Sequence, residues 1–303
     1  MLMFFCKFAM SFILIMYMKK RVLLVSTVVA ALGLFSACQQ KPAGVPTSVA
    51  EVVAPSADLS TIKVDSIVMD TTWALKDKDL IEYIGDDVNP GLNCVIDVPS
   101  VEQSPILANA VMEWVNERCL GGYFDGDVTD VKAMLRAYIK QSCSEEFGYG
   151  MGSDTQFQFE IRKVYENNNL ITFVCTGDDY AFGAAHGMPY LYGATFRKSD
   201  GKRFGWNMFR GNAELQPALK SGLMKYFDAS TNEELAENLM VDELYSPDYL
   251  PKPVTDPWIT KDGVEMVYQS YEIACFAAGQ PSVTISAKEA EKLLTPTMAK
   301  LMK

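Results

Sequence analysis

A chain of 303 residues carries a single histidine, His186, in the segment Tyr180-Ala181-Phe182-Gly183-Ala184-Ala185-His186-Gly187. Small residues around one imidazole let backbone approach closely there, and two roles follow. Either the ring bonds a carbonyl in a tight bend, or it serves at a strand edge as a ligand contact or general base. A general base needs an acidic partner, for which Glu272 and Asp178 are the candidates. One imidazole excludes His-Glu-x-x-His zinc proteases and centres with two or three His ligands. A Ser-His-Asp or Cys-His arrangement passes that count, but no Gly-x-Ser-x-Gly elbow exists to hold the serine.

The other chemistry-bearing patterns fall away on context. Ser199-Asp200-Gly201-Lys202 matches Ser-x-x-Lys but lies on a predicted hairpin tip, where water defeats pKa tuning. Gly148-Tyr149-Gly150-Met151-Gly152 follows a helix and precedes a strand, the wrong order for a phosphate cradle, and reads as a linker. Glu145-Glu146 and Glu233-Glu234 are neighbours on helices and do not converge. No Cys-x-x-Cys occurs among Cys94, Cys119, Cys143, Cys175 and Cys275, so zinc-ribbon and thioredoxin chemistry find no support. Burial as small hydrophobes is the reading for Cys175 and Cys275, inside apolar strands, and the pairing of the five stays open. No catalytic residue, metal or cofactor is assigned.

The elements that would position His186 follow from hydrophobic periodicity. Residues 61–68 alternate weakly, and Leu92 to Val98 form a short strand ending at Pro99. Ser104-Pro105 opens a helix with Leu107, Val111, Trp114 and Val115 on one stripe. A second helix over 128–144 aligns Val131, Leu135, Tyr138 and Ile139. From Gln156 the period changes to two: Phe157, Phe159 and Ile161 alternate with polar residues. Asn167-Asn168-Asn169 turns the chain into Leu170 to Cys175. Hairpins are expected at Asp200-Gly201 and Asp262-Gly263. Thr231-x-x-Glu234 and Ser286-x-x-Glu289 are capping boxes that start helices. Residues 214–228 form a further helix, with Leu219, Leu223 and Tyr226 inward. The fold class is α+β: a mostly antiparallel sheet with helices packed on it, a helical N-terminal half preceding a strand-rich C-terminal half.

The first 37 residues hold no acidic residue and four basic ones, Lys7, Lys19, Lys20 and Arg21. Met18-Lys19-Lys20-Arg21, the apolar run Val22 to Phe35 and Ser36-Ala37-Cys38 have the layout of a secretory signal starting at Met18. A membrane-spanning helix over 8–37 is disfavoured by three adjacent charges near its middle. Phe35-Ser36-Ala37-Cys38 resembles a bacterial lipobox, in which Cys38 is acylated and becomes the mature N-terminus, anchored by its acyl chains. The expected organisation is a signal peptide over 1–37, a proline-bearing tether over 38–58, an α+β subdomain over 59–150 and a second over 151–303. The protein is placed in the cell envelope, at the periplasmic or outer-membrane face.

Hydrophobic residues make up 49% and charged residues 21%, which excludes disorder. The net charge of −11, falling to −15 without residues 1–37, argues against nucleic acid and would steer a cationic partner.

Gly183-Ala184-Ala185-His186-Gly187, Asp200-Gly201-Lys202, Trp206-Asn207-Met208-Phe209 and Tyr271 to Gly279 occur in an order that resembles a known bacterial family. It is the domain of unknown function shared by the anti-sigma factor RsiV, which senses lysozyme, and the peptidoglycan deacetylase PdaC. The family's usual motif is Gly-Gly-Ala-His-Gly, so Ala184 is a departure. The resemblance spans roughly residues 60–295 and implies an α+β fold, an envelope location, and Gly183, His186, Gly187, Tyr271 and Glu272 as a binding or structural motif. Neither RsiV's sigma-binding segment nor PdaC's catalytic domain finds a counterpart here. Two functions are therefore expected: a non-enzymatic lipoprotein binding peptidoglycan or a lysozyme-like cationic protein, or an envelope polysaccharide hydrolase using His186.

Overall fold

Two sheets and two cores organise the chain, in a computed structural model that describes residues 59–72, 90–142, 154–181, 184–240 and 249–303. The leader, Cys38, the tether, Cys143, Glu145-Glu146, the glycine run 148–152 and Gly183 lie outside these residues. The first sheet runs in sequence order: β1 (Val64–Thr72), β2 (Gly91–Pro99), β3 (Asp154–Glu166), β4 (Leu170–Ala181), β5 (Met188–Arg197) and β6 (Arg203–Phe204). Neighbours are antiparallel except β2 and β3, which pair in parallel from Gly91–Gln156 to Ile96–Ile161.

That one parallel pair accounts for the first helices. Parallel strands cannot be joined by a tight turn, so a crossover is required. Helices α1 (Pro105–Trp114) and α2 (Val131–Ser142) lie in it. This corrects the expectation of a helical half followed by a strand-rich half: the described residues before 150 hold two nine-residue strands as well as two helices, and four more helices come after 215. The sheet also draws strands from both sides of the 150/151 line. All described residues belong to one compact unit.

Local chemistry sets the element ends. The Ser104 hydroxyl accepts from Leu107 N, and Pro105 fills the first turn, where a missing N–H costs nothing. The predicted stripe Leu107, Val111, Trp114 and Val115 is buried. Helix α2 starts at Val131, three residues later than the expected 128, because Asp127 and Asp130 bind the N–H groups of Thr129 and Ala133. On the sheet's inner face Leu92, Cys94, Ile96, Phe157, Phe159, Ile161, Phe173, Cys175 and Phe196 meet these helices in one cluster.

The second sheet comprises β7 (Trp258–Thr260), β8 (Gly263–Val267) and β9 (Ser282–Ser286). Helices α3 (Gln216–Tyr226), α4 (Asn232–Asn238), α5 (Ala287–Leu293) and α6 (Pro296–Leu301) accompany it. The capping box at Thr231 with Glu234 forms, and at Ser286 the hydroxyl caps the helix by accepting from Glu289 N and donating to the Glu289 carboxylate. Leu219 and Leu223 are buried, but Tyr226 at the end of α3 is exposed and donates its hydroxyl to Ala278 O at 2.7 Å, contrary to the inward placement expected of it. Beside the β7–β8 turn, Gly263 has φ 141°, and a Cβ there would stand 2.0 Å from Ile285 O.

The expected solvated tip at 199–202 exposes Ser199, Asp200 and Lys202, but Lys198 just before it is only 1% exposed. Its ammonium bonds Ser60 O, Asn167 O and Glu166 Oε1, the last at 2.7 Å. Glu166 also accepts from Ile62 N and pairs with Lys163, so three chain segments are tied at one buried carboxylate. Burial pushes the Glu166 carboxyl up, but Lys198, the Ile62 N–H and Lys163 outweigh it and hold it below the usual range.

Candidate functional site

The outer face of the first sheet is the opposite parity of the same strands, and it is divided. At one end the second sheet lies on it: the Trp258 ring occupies the space above Gly193, where a Cβ would come within 2.0 Å. Ile259 N donates to the buried Thr195 hydroxyl, itself 2.9 Å from that of Thr172. At the other end β3, β4 and β5 floor an open groove of about 610 Å³. Register sets its polar ladder: Gln158 pairs with Asp178 and Glu160 with Thr176, followed by Arg162 opposite Val174. Arg162 is held by Glu160 at 3.2 Å and Asp97 at 3.3 Å.

His186 stands beside this groove, in the loop between β4 and β5. Asp178 decides the glycine after it: its carboxylate lies where a Gly187 Cβ would be, 2.3 Å away. The imidazole is exposed. Its Nδ1 is 2.7 Å from Gly187 O; a carbonyl only accepts, so Nδ1 carries the proton. Nε2 then accepts from the Tyr271 hydroxyl at 3.4 Å. One ring face stacks on Phe276, with centroids 3.5 Å apart and planes at 15°. Tyr271 and Phe276 are half-buried and 5.8 Å apart, completing a three-ring surface.

The loop 268–280 brings those rings to His186. Gln269 behaves like an added strand residue, accepting from Leu191 N at 3.1 Å and donating to Leu191 O at 2.8 Å on the free stretch of β5. Tyr271 adopts φ 66°, an uncommon backbone for a bulky residue. Glu272 holds that kink: its two carboxylate oxygens accept from Gln269 N and Val254 N, each at 2.7 Å. Burial raises the Glu272 carboxyl above the usual range in spite of those two bonds.

Of the expected residues, then, His186, Gly187, Tyr271 and Asp178 come together. Glu272 supports the same loop but turns to backbone N–H groups. Among the described residues no carboxylate bonds either His186 ring nitrogen, and no cluster of three His, Cys, Asp or Glu side chains could hold a metal. Two residues of the site carry little signal in the sequence: Phe276 only its place in the stretch Tyr271 to Gly279, and Gln158 only the polar alternation of β3. Cys94, Cys119 and Cys175 are buried free thiols, and burial pushes Cys94 up to about 12. Cys275 is exposed before a short 3₁₀ turn, a correction to its expected strand position.

Residues 207–288 match the family described as "Protein of unknown function (DUF3298)". Tyr271, Glu272 and Phe276 fall inside that range, and His186 precedes it. No curated protein matches the sequence. A crystal structure of a DUF3298 family member from Bacteroides fragilis is similar over 80% of this chain and 98% of its own, with 20% identity and a TM-score of 0.58. A DUF3298 protein from Pseudomonas aeruginosa is similar over 78% of this chain and 96% of its own, with 13% identity and a TM-score of 0.52. At these identities the likeness is one of fold, and it accords with the family resemblance seen in the sequence.

Proposed function

We propose that this protein is a non-enzymatic, lipid-anchored component of the bacterial cell envelope that binds an envelope ligand through the surface of His186, Tyr271 and Phe276. The observation that carries the reading is the state of His186. It is exposed, stacked on one face and bonded through Nδ1 to its own neighbour's carbonyl, with no carboxylate among the described residues to make it a base. An exposed imidazole beside two half-buried rings on a kinked, hydrogen-bonded loop suits recognition, since aromatic side chains give contact area at little entropic cost. The anchor is Cys38, acylated after cleavage behind Ala37. The ligand is a glycan such as peptidoglycan or a cationic protein such as a lysozyme-like muramidase, which the acidic chain would attract.

The test is co-sedimentation of the full chain with purified peptidoglycan sacculi, beside capture on an immobilised basic muramidase. Binding to one of the two, weakened by Phe276→Ala, is expected, with no soluble fragments released from the sacculi. Fragment release abolished by His186→Ala would replace this reading with the hydrolase. Loss of membrane association in Cys38→Ser tests the anchor.

A further inference from the structure

We propose that the groove on the outer face of the first sheet is a subsite for a neutral oligosaccharide chain, continuous with the three-ring surface. The proposal rests on reading that surface as a ligand contact and adds the chemistry of what it takes. Past Val174, which lines the groove, the Trp258 ring lies on its partner Gly193, and at the other end the His186 loop stands over Asp178. Its volume of about 610 Å³ lies in the range of small-ligand sites.

Its floor mixes apolar and polar groups: Val164, Val174 and Pro189 lie beside Gln158, Thr176 and Asp178. Gln158, Thr176 and Asp178 are exposed and make no side-chain hydrogen bond to another described residue. An amide, a hydroxyl and a carboxylate together offer donors and acceptors, which is what hydroxyl groups require. Among the described lining residues the one cation, Arg162, is already shared by Glu160 and Asp97, which leaves little positive charge there to hold a phosphate or carboxylate polymer. An added peptide strand needs a sheet edge with free backbone groups, whereas on this face the backbone of β4 is paired on both sides. From β3 to β5 the floor spans two strand spacings, about 10 Å, before it reaches the rings. The flat faces at that end match the C–H face of a pyranose. An extended sugar chain meets both parts, its hydroxyls on the ladder and one ring on the aromatic surface.

The experiment is calorimetric titration of the full chain, in a detergent without a sugar headgroup, with chitotetraose, cellotetraose and an oligolysine peptide at low and high salt. One of the two tetrasaccharides should bind with little dependence on salt. Gln158→Ala and Thr176→Val should each weaken it by about tenfold, the equivalent of one lost hydrogen bond. Asp178→Asn should retain binding within about threefold, because the amide keeps an acceptor, while Asp178→Ala should not. Failure of both tetrasaccharides to bind overturns the proposal; the broader reading then still stands if sacculi or muramidase bind. Binding weakened by Phe276→Ala but indifferent to Gln158→Ala and Thr176→Val also overturns it and leaves the aromatic surface alone as the contact. Oligolysine binding that is lost equally in Asp178→Asn and Asp178→Ala, with no sugar binding, would assign the groove to a cationic protein instead. Loss in the groove variants with Phe276→Ala unaffected would uphold the groove and remove the rings from the site.

Discussion

The two faces of the first sheet are made from the same strands and answer to different constraints. On the inner face Phe159, Ile161, Phe173 and Cys175 are fully covered by α1 and α2. One residue away along each strand, Gln158, Glu160, Thr176 and Asp178 face the groove. Side chains on a strand alternate, so a face whose packing holds the fold leaves its neighbour free to vary for recognition. Substitutions of comparable size on the two faces should therefore separate stability from binding.

The largest effect is expected on the inner face. Phe173→Ala should cost about 3–5 kcal/mol in chemical denaturation, since it removes a buried ring and leaves a cavity. Little loss would mean that α1 and α2 do not hold this face. Close behind comes the buried ion cluster where β3, β5 and residues 60–62 meet. Lys198→Met should cost about 3 kcal/mol by leaving the Glu166 carboxylate under-paired.

The same pair predicts a pH dependence. Glu166 sits below the ordinary carboxylate value when folded, so its contribution is present above the unfolded pKa and is lost as pH falls through the folded one. The stability gap between wild type and Lys198→Met should narrow as pH is lowered into that acid range. Glu272, raised by burial, acts in the opposite sense: its protonation favours the folded state, and that contribution is lost as pH rises through its folded value. A gap that does not narrow on the acid side would separate Glu166 from Lys198.

At the loop, Glu272→Ala should cost about 1–3 kcal/mol by orphaning the N–H groups of Gln269 and Val254. It should also weaken ligand binding through Tyr271, which it positions and which carries the kink. The smallest effect is on the outer face, where Gln158→Ala should change stability by no more than about 0.5 kcal/mol. A large loss there would show that the groove floor is structural and erase the contrast between the faces.

Much of the architecture was legible where one local rule decided it. The stripes of α1 and α2, the alternation of β3 and the helix caps at Thr231 and Ser286 depend on residues within a few positions of one another. Placements that failed were those set by distant partners. Tyr226 lies on the apolar period of α3 but finds Ala278 O across the fold. Cys275 lies in an apolar stretch but outside any described strand, and Lys198, beside the solvated tip at 199–202, is buried against Glu166.

At the candidate site the sequence alone determined the rare residue and its setting. His186 is the single imidazole, and Gly187 and the alanines before it forecast a close approach of backbone. What approaches was decided only by tertiary structure. Asp178 fills the space beside Gly187 because β4 and β5 are in register, and Phe276 reaches His186 because Gln269 fastens a loop some eighty residues away to the edge of β5. Local steric and hydrogen-bonding preferences act over a few residues and leave their mark in spacing. Register and loop docking depend on groups far apart in the chain, whose match no spacing records.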